Sequence, residues 1–235
     1  MSQIQKISDA LAAKKDTFSA LGLSLKKYQI AAINIARSNP AIYRCKPDTI
    51  MMAVFEAAAL GLSLDPALHE AYLIGYKDQC QLQIGYRGLL RLAHNDSSIS
   101  HVDAVAVYDG DTIKINRGSD PSIDHEISLD PGSEVLGVYA VAHMADGSKK
   151  IEYMSKRQIE DHRSRYSKAR GTSPWSTAWE EMAKKTVLIR LLKYIPMSAK
   201  SNAAVKGAEY RDAGQQSPVL EVEVEQLARE EENEN

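Results

Sequence analysis

Apolar positions recur with a helical period at both ends of this 235-residue chain and with a period of two in its middle. Residues 1–20 carry a weak amphipathic helical pattern. In 24–38, "SLKKYQIAAINIARS", Leu25, Tyr28, Ala32 and Ile35 fall on one helical face, and Asn39-Pro40 ends the run. A second helix is expected over about 48–60, "DTIMMAVFEAAAL", with Asp48 as its N-cap and Gly61 just beyond its end. It is apolar enough to require burial.

The period then changes. Residues 70–76 and 79–86 flank a two-residue Lys77-Asp78 turn. Cys80, Leu82, Ile84 and Tyr86 alternate with Gln79, Gln81 and Gln83, which predicts a half-buried β-hairpin. A short helix is expected from Leu89 to about His94, then strands over 99–108 and 112–116, joined by Asp109-Gly110-Asp111. Residues 117–133, rich in Gly, Ser, Asp and Pro, read as a loop or irregular edge. A last hairpin pairs 135–144 with 149–154 across "ADGS".

Ser155-Lys156-Arg157-Gln158 has the form of a capping box, predicting a helix from there to about Ala169. "GTSP" breaks it, and a longer helix follows over about 176–194. Its two apolar sides, one with Trp179, Ala183, Thr186, Arg190 and Tyr194 and one with Leu188, Leu191 and Leu192, call for partners on both. From about 201 the composition turns to Ser, Gly, Gln and Glu, and disorder is expected. The fold class is α+β: N-terminal helices, a central antiparallel sheet of about six strands, C-terminal helices and a disordered acidic tail. The expected division is an N-terminal helical segment over 1–44, a core over 45–200 and a flexible tail over 201–235.

Charge sharpens this picture. Residues 221–235 hold seven Glu and one Arg, a local −6, so the rest of the chain is net +4. Within it, residues 149–170 hold eight Lys or Arg against three acids. A basic segment in a folded body suggests a polyanion partner, although a solvated helix face would look the same. The tail is read as a solvated segment, with competition for the basic region as the alternative. No apolar run is long enough to span a bilayer, and no signal peptide is read at the start, so a cytoplasmic location is expected. Cys45 and Cys80 sit in no metal-ligand spacing and are read as reduced thiols.

No Walker-type phosphate loop, zinc-protease motif or nucleophile elbow occurs, so no enzyme activity and no cofactor are expected. His101 and Asp103 with Asp109 and Asp111 admit a metal reading, but acids around a glycine are more often a turn. The turn Gly85-Tyr86-Arg87-Gly88 lets backbone come close to something. A phosphate is one candidate, with Arg87 adding charge, and a plain strand-to-helix turn is the other. A KH-like RNA loop is disfavoured because such loops join two helices. Residues 163–185, "RSRYSKARGTSPWSTAWEEMAKK", interleave cations with Trp175 and Trp179, as single-stranded nucleic acid would require. Trp179, on the apolar stripe, is more readily a core anchor. Arg190 on that stripe needs a partner, for which Glu180, Glu181 or a phosphate could serve.

Three stretches in order carry a resemblance: "GLSLDPALHEAYLIGYKDQCQLQIGYRGLLRLA" (61–93), "VYAVAHMADGSKKIEYMSKRQIEDHRSRY" (138–166) and "PWSTAWEEMAKKTVLIRLLKYIP" (174–196). Together they resemble the RecT family of phage and prophage single-strand annealing proteins. The resemblance implies ATP-independent binding of single-stranded DNA and pairing of complementary strands into duplex, for recombination. It implies homo-oligomeric rings or helical filaments, a 5′→3′ exonuclease partner and, further off, the host single-strand binding protein. An oligomeric RNA or nucleic-acid module without annealing activity is the alternative. The DNA-binding residues expected are Tyr86, Arg87, Arg91, Arg163, Arg165, Lys168, Arg170, Trp175, Lys184, Lys185, Arg190 and Lys193.

Overall fold

The computed structural model describes residues 1–130, 132–166 and 174–213. The chain divides at Gly88–Leu89 into two units. In the first, Ser2 Oγ accepts the Gln5 amide and starts α1 (Gln3–Ala12), and a break at 13–14 separates α2 (Lys15–Ala20). The sequence pattern had merged these two. Next come α3 (Leu25–Ser38) and α4 (Pro40–Tyr43), the latter capped by the Asn39 carboxamide with proline at its first position. In α5 (Pro47–Ala59) the cap is Lys46, not the expected Asp48. Asp48 lies in the first turn, where its charge faces the positive end of the helix.

The end of α5 fits the expectation. Gly61 has φ +69°, its amide bonds the Ala58 carbonyl, and the Leu62 amide reaches back to Ala57. Phe18 of α2 meets Phe55 of α5 edge-on at 5.3 Å, within a core that includes Ile7, Leu11, Ile42 and Ile50. Each such side chain is worth roughly 1.5–3 kcal/mol on burial.

Strands β1 (Ala71–Tyr76) and β2 (Gln79–Ile84) pair antiparallel with Tyr76 opposite Gln79, so the turn is Lys77-Asp78 as predicted. Cys80, Leu82 and Ile84 are buried while the glutamines are not. The strand stops at Ile84. Tyr86, expected on its inward face, instead opens α6 (Tyr86–His94).

The close approach that the two glycines permit is to the chain's own backbone. Gly85 donates its amide to the Glu70 carbonyl at 2.8 Å. A Cβ on Gly85 would overlap the His69 carbonyl, and one on Gly88 the Glu70 carbonyl. The Glu70 carboxylate in turn accepts the Ser63 amide at 2.8 Å and closes the 63–70 loop. The motif is thus a packing device. An added methyl within a helix normally stabilises by up to about 1 kcal/mol. Gly88→Ala should instead destabilise by about 2 kcal/mol or more through overpacking, lowering Tm by roughly 4–8 °C in thermal unfolding.

The second unit is built on β3 (Ile99–Tyr108), β4 (Thr112–Asn116), β5 (Ser122–Glu126), β6 (Val135–Met144) and β7 (Lys149–Ser155). The strands are antiparallel, as expected, but the seven of them do not form one sheet. The ladders are β1-β2, β3-β6-β7 and β4-β5. The reason is coverage. Val107, Tyr139, Val141 and Ile151 on one face of the three-stranded sheet form a cluster onto which Ile113, Ile115 and Ile123 of the β4-β5 ribbon pack. Val138, Ala140 and Ala142 alternate with that set and are also fully buried, and the helix over Trp179–Leu192 packs against β6. Burial on both sides explains why β6 reads as a near-continuous apolar run. β5, with Ile123 its one apolar residue, lies in what was expected to be a loop or irregular edge. The Asp111 carboxylate accepts the Tyr108 and Ser128 amides and faces His125, contacts that hold it below the usual carboxylate range. Its role is to tie the turn after β3 to the end of β5.

Helix α7 (Lys156–Tyr166) starts at the predicted capping box: Ser155 donates its amide to the Gln158 carboxamide, and Gln158 returns its own to Ser155 Oγ. The expected long helix over 176–194 is two, α8 (Pro174–Thr177) and α9 (Trp179–Leu192), separated at Ala178 with φ −146° and ψ 53°. Residues 199–212, mostly assigned to the flexible tail, form a further helix, α10 (Ala199–Asp212). Its buried residues are Ser201, Ala203, Ala204, Val205, Gly207, Ala208 and Arg211, mostly small side chains that allow close packing against α9. The rest of the predicted tail, from 214 on, lies outside the described residues.

Candidate nucleic-acid interface

Helices α7 to α10 enclose a cleft of about 270 Å³ that gathers three of the expected binding residues, Arg163, Trp175 and Arg190. Trp175 is buried to 7% exposure and forms a wall. The Arg163 guanidinium lies over its ring, 5.8 Å from the centroid, and also bonds Glu160 at 3.3 Å. His162 packs on Tyr166 with ring centroids 4.6 Å apart. Burial, assisted by the Arg190 guanidinium, lowers the His162 pKa below its ordinary value, so the ring is mainly neutral at pH 7.

Arg190 is exposed rather than buried, and neither Glu180 nor Glu181 is its partner. It reaches Glu152 of β7 at 2.9 Å, and Arg117 holds the other oxygen of that carboxylate at 3.0 Å. Glu152 is 2% exposed. A buried carboxylate requires such partners, and two guanidiniums on one carboxylate leave a surplus positive charge at the surface. Sequence reasoning missed both Arg117 and Glu152, because neither stands in a local pattern with Arg190.

The remaining cations separate by what they touch. Lys184 pairs with Glu180 at 2.6 Å, and that carboxylate also accepts the Tyr108 hydroxyl. Lys193 pairs with Glu209 of α10 at 2.8 Å, both ends open to solvent. Lys185 was expected to bind DNA, but its side chain is 3% exposed and bonded to Asp212 at 2.6 Å. Buried and neutralised, it joins α9 to α10 and is closed off from solvent. Arg165 is exposed in the last turn of α7. Trp179 donates its indole N–H to Glu160, linking α9 to α7, and is half-buried rather than in the core. Lys168 and Arg170 lie outside the described residues.

On α6, Arg87 and Arg91 are both exposed and four residues apart, so they share a face, while Leu89, Leu92 and Ala93 are buried. Tyr86 and Arg87 belong to the first unit and Arg91 to the second. Among the described residues no group of three or more His, Cys, Asp or Glu could hold a metal ion, and no helix is long and apolar enough to cross a membrane. Cys45 and Cys80 are buried free thiols.

The sequence matches the RecT family over residues 27–221. It is 38% identical to Protein RecT of Escherichia coli (strain K12) over 177 residues, which is 72% of this chain and 65% of that protein. It is 26% identical to Uncharacterized protein YqaK of Bacillus subtilis (strain 168) over 176 residues, 73% of this chain and 60% of that protein. The match thus spans less than two thirds of the length of either curated relative. Every element from α4 through α10, including those that build the cleft, falls inside the matched residues, and the chain belongs to the RecT family.

Proposed function

We propose that this chain binds single-stranded DNA and pairs complementary strands without nucleotide hydrolysis, acting in the cytoplasm as a homo-oligomeric ring or helical filament. The observation that carries the reading is the α7–α10 surface. There Arg190, bonded to the buried Glu152, keeps its guanidinium at the surface, Arg163 overlies Trp175, and Arg163 and Lys193 are held in ion pairs that solvent reaches. Exposed pairs of this kind are worth about 0–1 kcal/mol, so a phosphate can take over the cation at little cost and gain a charge-assisted hydrogen bond. Membership of the RecT family supports the same reading.

The driving force comes from the DNA. Each base-pair step contributes about 1.4 kcal/mol of stacking, so the protein needs only to hold strands extended by their phosphates and leave base edges accessible. Arg87 and Arg91 on α6, Arg163 and Arg165 on α7, and Lys184, Arg190 and Lys193 on α9 are assigned to the backbone, with Trp175 meeting a base. Lys168 and Arg170 are assigned the same role on sequence grounds. A 5′→3′ exonuclease that exposes single-stranded tails is the partner such an activity needs, and a host single-strand binding protein is a second.

This binding must depend on salt. For single strands, log affinity falls with log salt at about −0.7 per phosphate neutralised. The nine cations assigned to phosphates give a slope near −6 and a loss of roughly several thousand-fold between about 50 and 200 mM salt. Fluorescence anisotropy of a labelled oligonucleotide measures it, and a flat profile overturns the reading.

A further inference from the structure

We propose that the α7–α10 cleft is a nucleobase pocket, receiving one unpaired base turned out from the bound strand. The proposal rests on the single-strand reading above and adds a contact that a purely phosphate-gripping surface would not have.

Size is the first argument. At about 270 Å³ the cleft falls just under the range typical of drug-sized ligands, which suits a single flat heterocycle. Its walls are the second. Trp175 closes one side, Ile189 contributes an apolar surface, and Tyr166 and Tyr210, 50% and 41% exposed, stand as rings at its edge. Aromatic faces open to solvent are what bases stack on, whatever their sequence.

Charge is the third argument and decides between base and phosphate. Arg163 and Arg190 line the cleft, but so do Glu209 and Asp212, and the formal charges of these four cancel. His162 adds a mainly neutral ring. Each of the four is also in an ion pair, Arg163 with Glu160, Arg190 with Glu152, Glu209 with Lys193 and Asp212 with Lys185, so a phosphate in the cleft would have to compete with carboxylates already in place. A base edge presents donors and acceptors together: exocyclic amines can donate to carboxylates, while ring nitrogens and carbonyls accept from guanidiniums. The pocket therefore suits the heterocycle, and the strand's phosphates meet Arg163 and Arg190 from the solvent side, where both guanidiniums are open. Because a base already in a Watson–Crick pair cannot enter, the pocket would favour unpaired strand and release its base as duplex forms.

The test compares the full chain's affinity for a short oligodeoxycytidylate and for an abasic deoxyribose-phosphate strand of equal length. The pocket predicts roughly ten-fold tighter binding of the strand with bases. It also predicts that Tyr210→Ala and Tyr166→Ala, at solvent-exposed positions, each shrink that preference while leaving affinity for the abasic strand unchanged. Equal affinity of the natural chain for both strands overturns the pocket and leaves the phosphate-gripping reading standing. A preference undiminished in both variants places the base contact elsewhere and also overturns it. Binding of neither strand overturns the single-strand reading itself.

Discussion

Reversing two charges, Arg163→Glu with Arg165→Glu, is expected to reduce strand pairing to the uncatalysed rate while the fold persists. Both residues lie in the last turn of α7 and neither is in the core. The substitutions change the charge of each protomer by four and place carboxylates where phosphates are to lie. They also remove the Arg163 cation from Trp175, an interaction worth about 0.5–1 kcal/mol at an exposed site. Stability should suffer modestly, because cations at a helix C-terminus are favourable by about 0.3–1 kcal/mol each and acids there are not. With the loss of the exposed Glu160 pair the total is about 1–3 kcal/mol, a fall in Tm of some 2–12 °C. Circular dichroism at 25 °C should match the natural chain. A normal pairing rate in the double variant would remove α7 from the binding surface.

The largest effect on stability outside the glycine turn is expected at Asp212. Lys185 is 3% exposed and Asp212 closes its ammonium at 2.6 Å, so Asp212→Ala leaves a buried cation without its counter-charge. Removing one member of a buried pair costs about 3–5 kcal/mol, and since Asp212 itself is 16% exposed the lower end applies. A drop in Tm of about 6–12 °C follows. Lys185→Met with Asp212→Leu should recover most of it, because an apolar pair of similar volume replaces the ion pair without its desolvation cost. If Asp212→Ala melts with the natural chain, Lys185 is not locked inside the fold.

Where a residue's role is set by its near neighbours in sequence, the sequence showed it. The alternation of Cys80, Leu82 and Ile84 with glutamines, the Ser155–Gln158 capping box and the helix end at Gly61 each depend on groups a few residues apart, and each stands in the structure. Contacts between distant segments were not legible. For Arg190 the sequence offered Glu180 or Glu181 on its own helix or a phosphate, but its protein partner is Glu152 on a strand. Lys185 looked like one more cation in a basic run until α10 brought Asp212 against it. Helix α10 itself escaped because its buried face is mostly alanine, glycine and polar residues with a single valine, which give little contrast with a polar tail. The cleft could not be foreseen, since Tyr210 belongs to that unforeseen helix. The strands were found but not their grouping, because a period of two shows that a segment is extended and not which ladder it joins.

The account stands on the idea that a cationic surface holds sugar-phosphate chains while the bases supply the energy of pairing. Its most direct test mixes the purified chain with two complementary oligonucleotides, one carrying a fluorophore and the other a quencher, in the absence of any nucleotide triphosphate. The account predicts pairing many-fold faster than for the DNA alone, with the acceleration fading as salt rises. Pairing no faster than in buffer, by protein that demonstrably binds both strands, would contradict it.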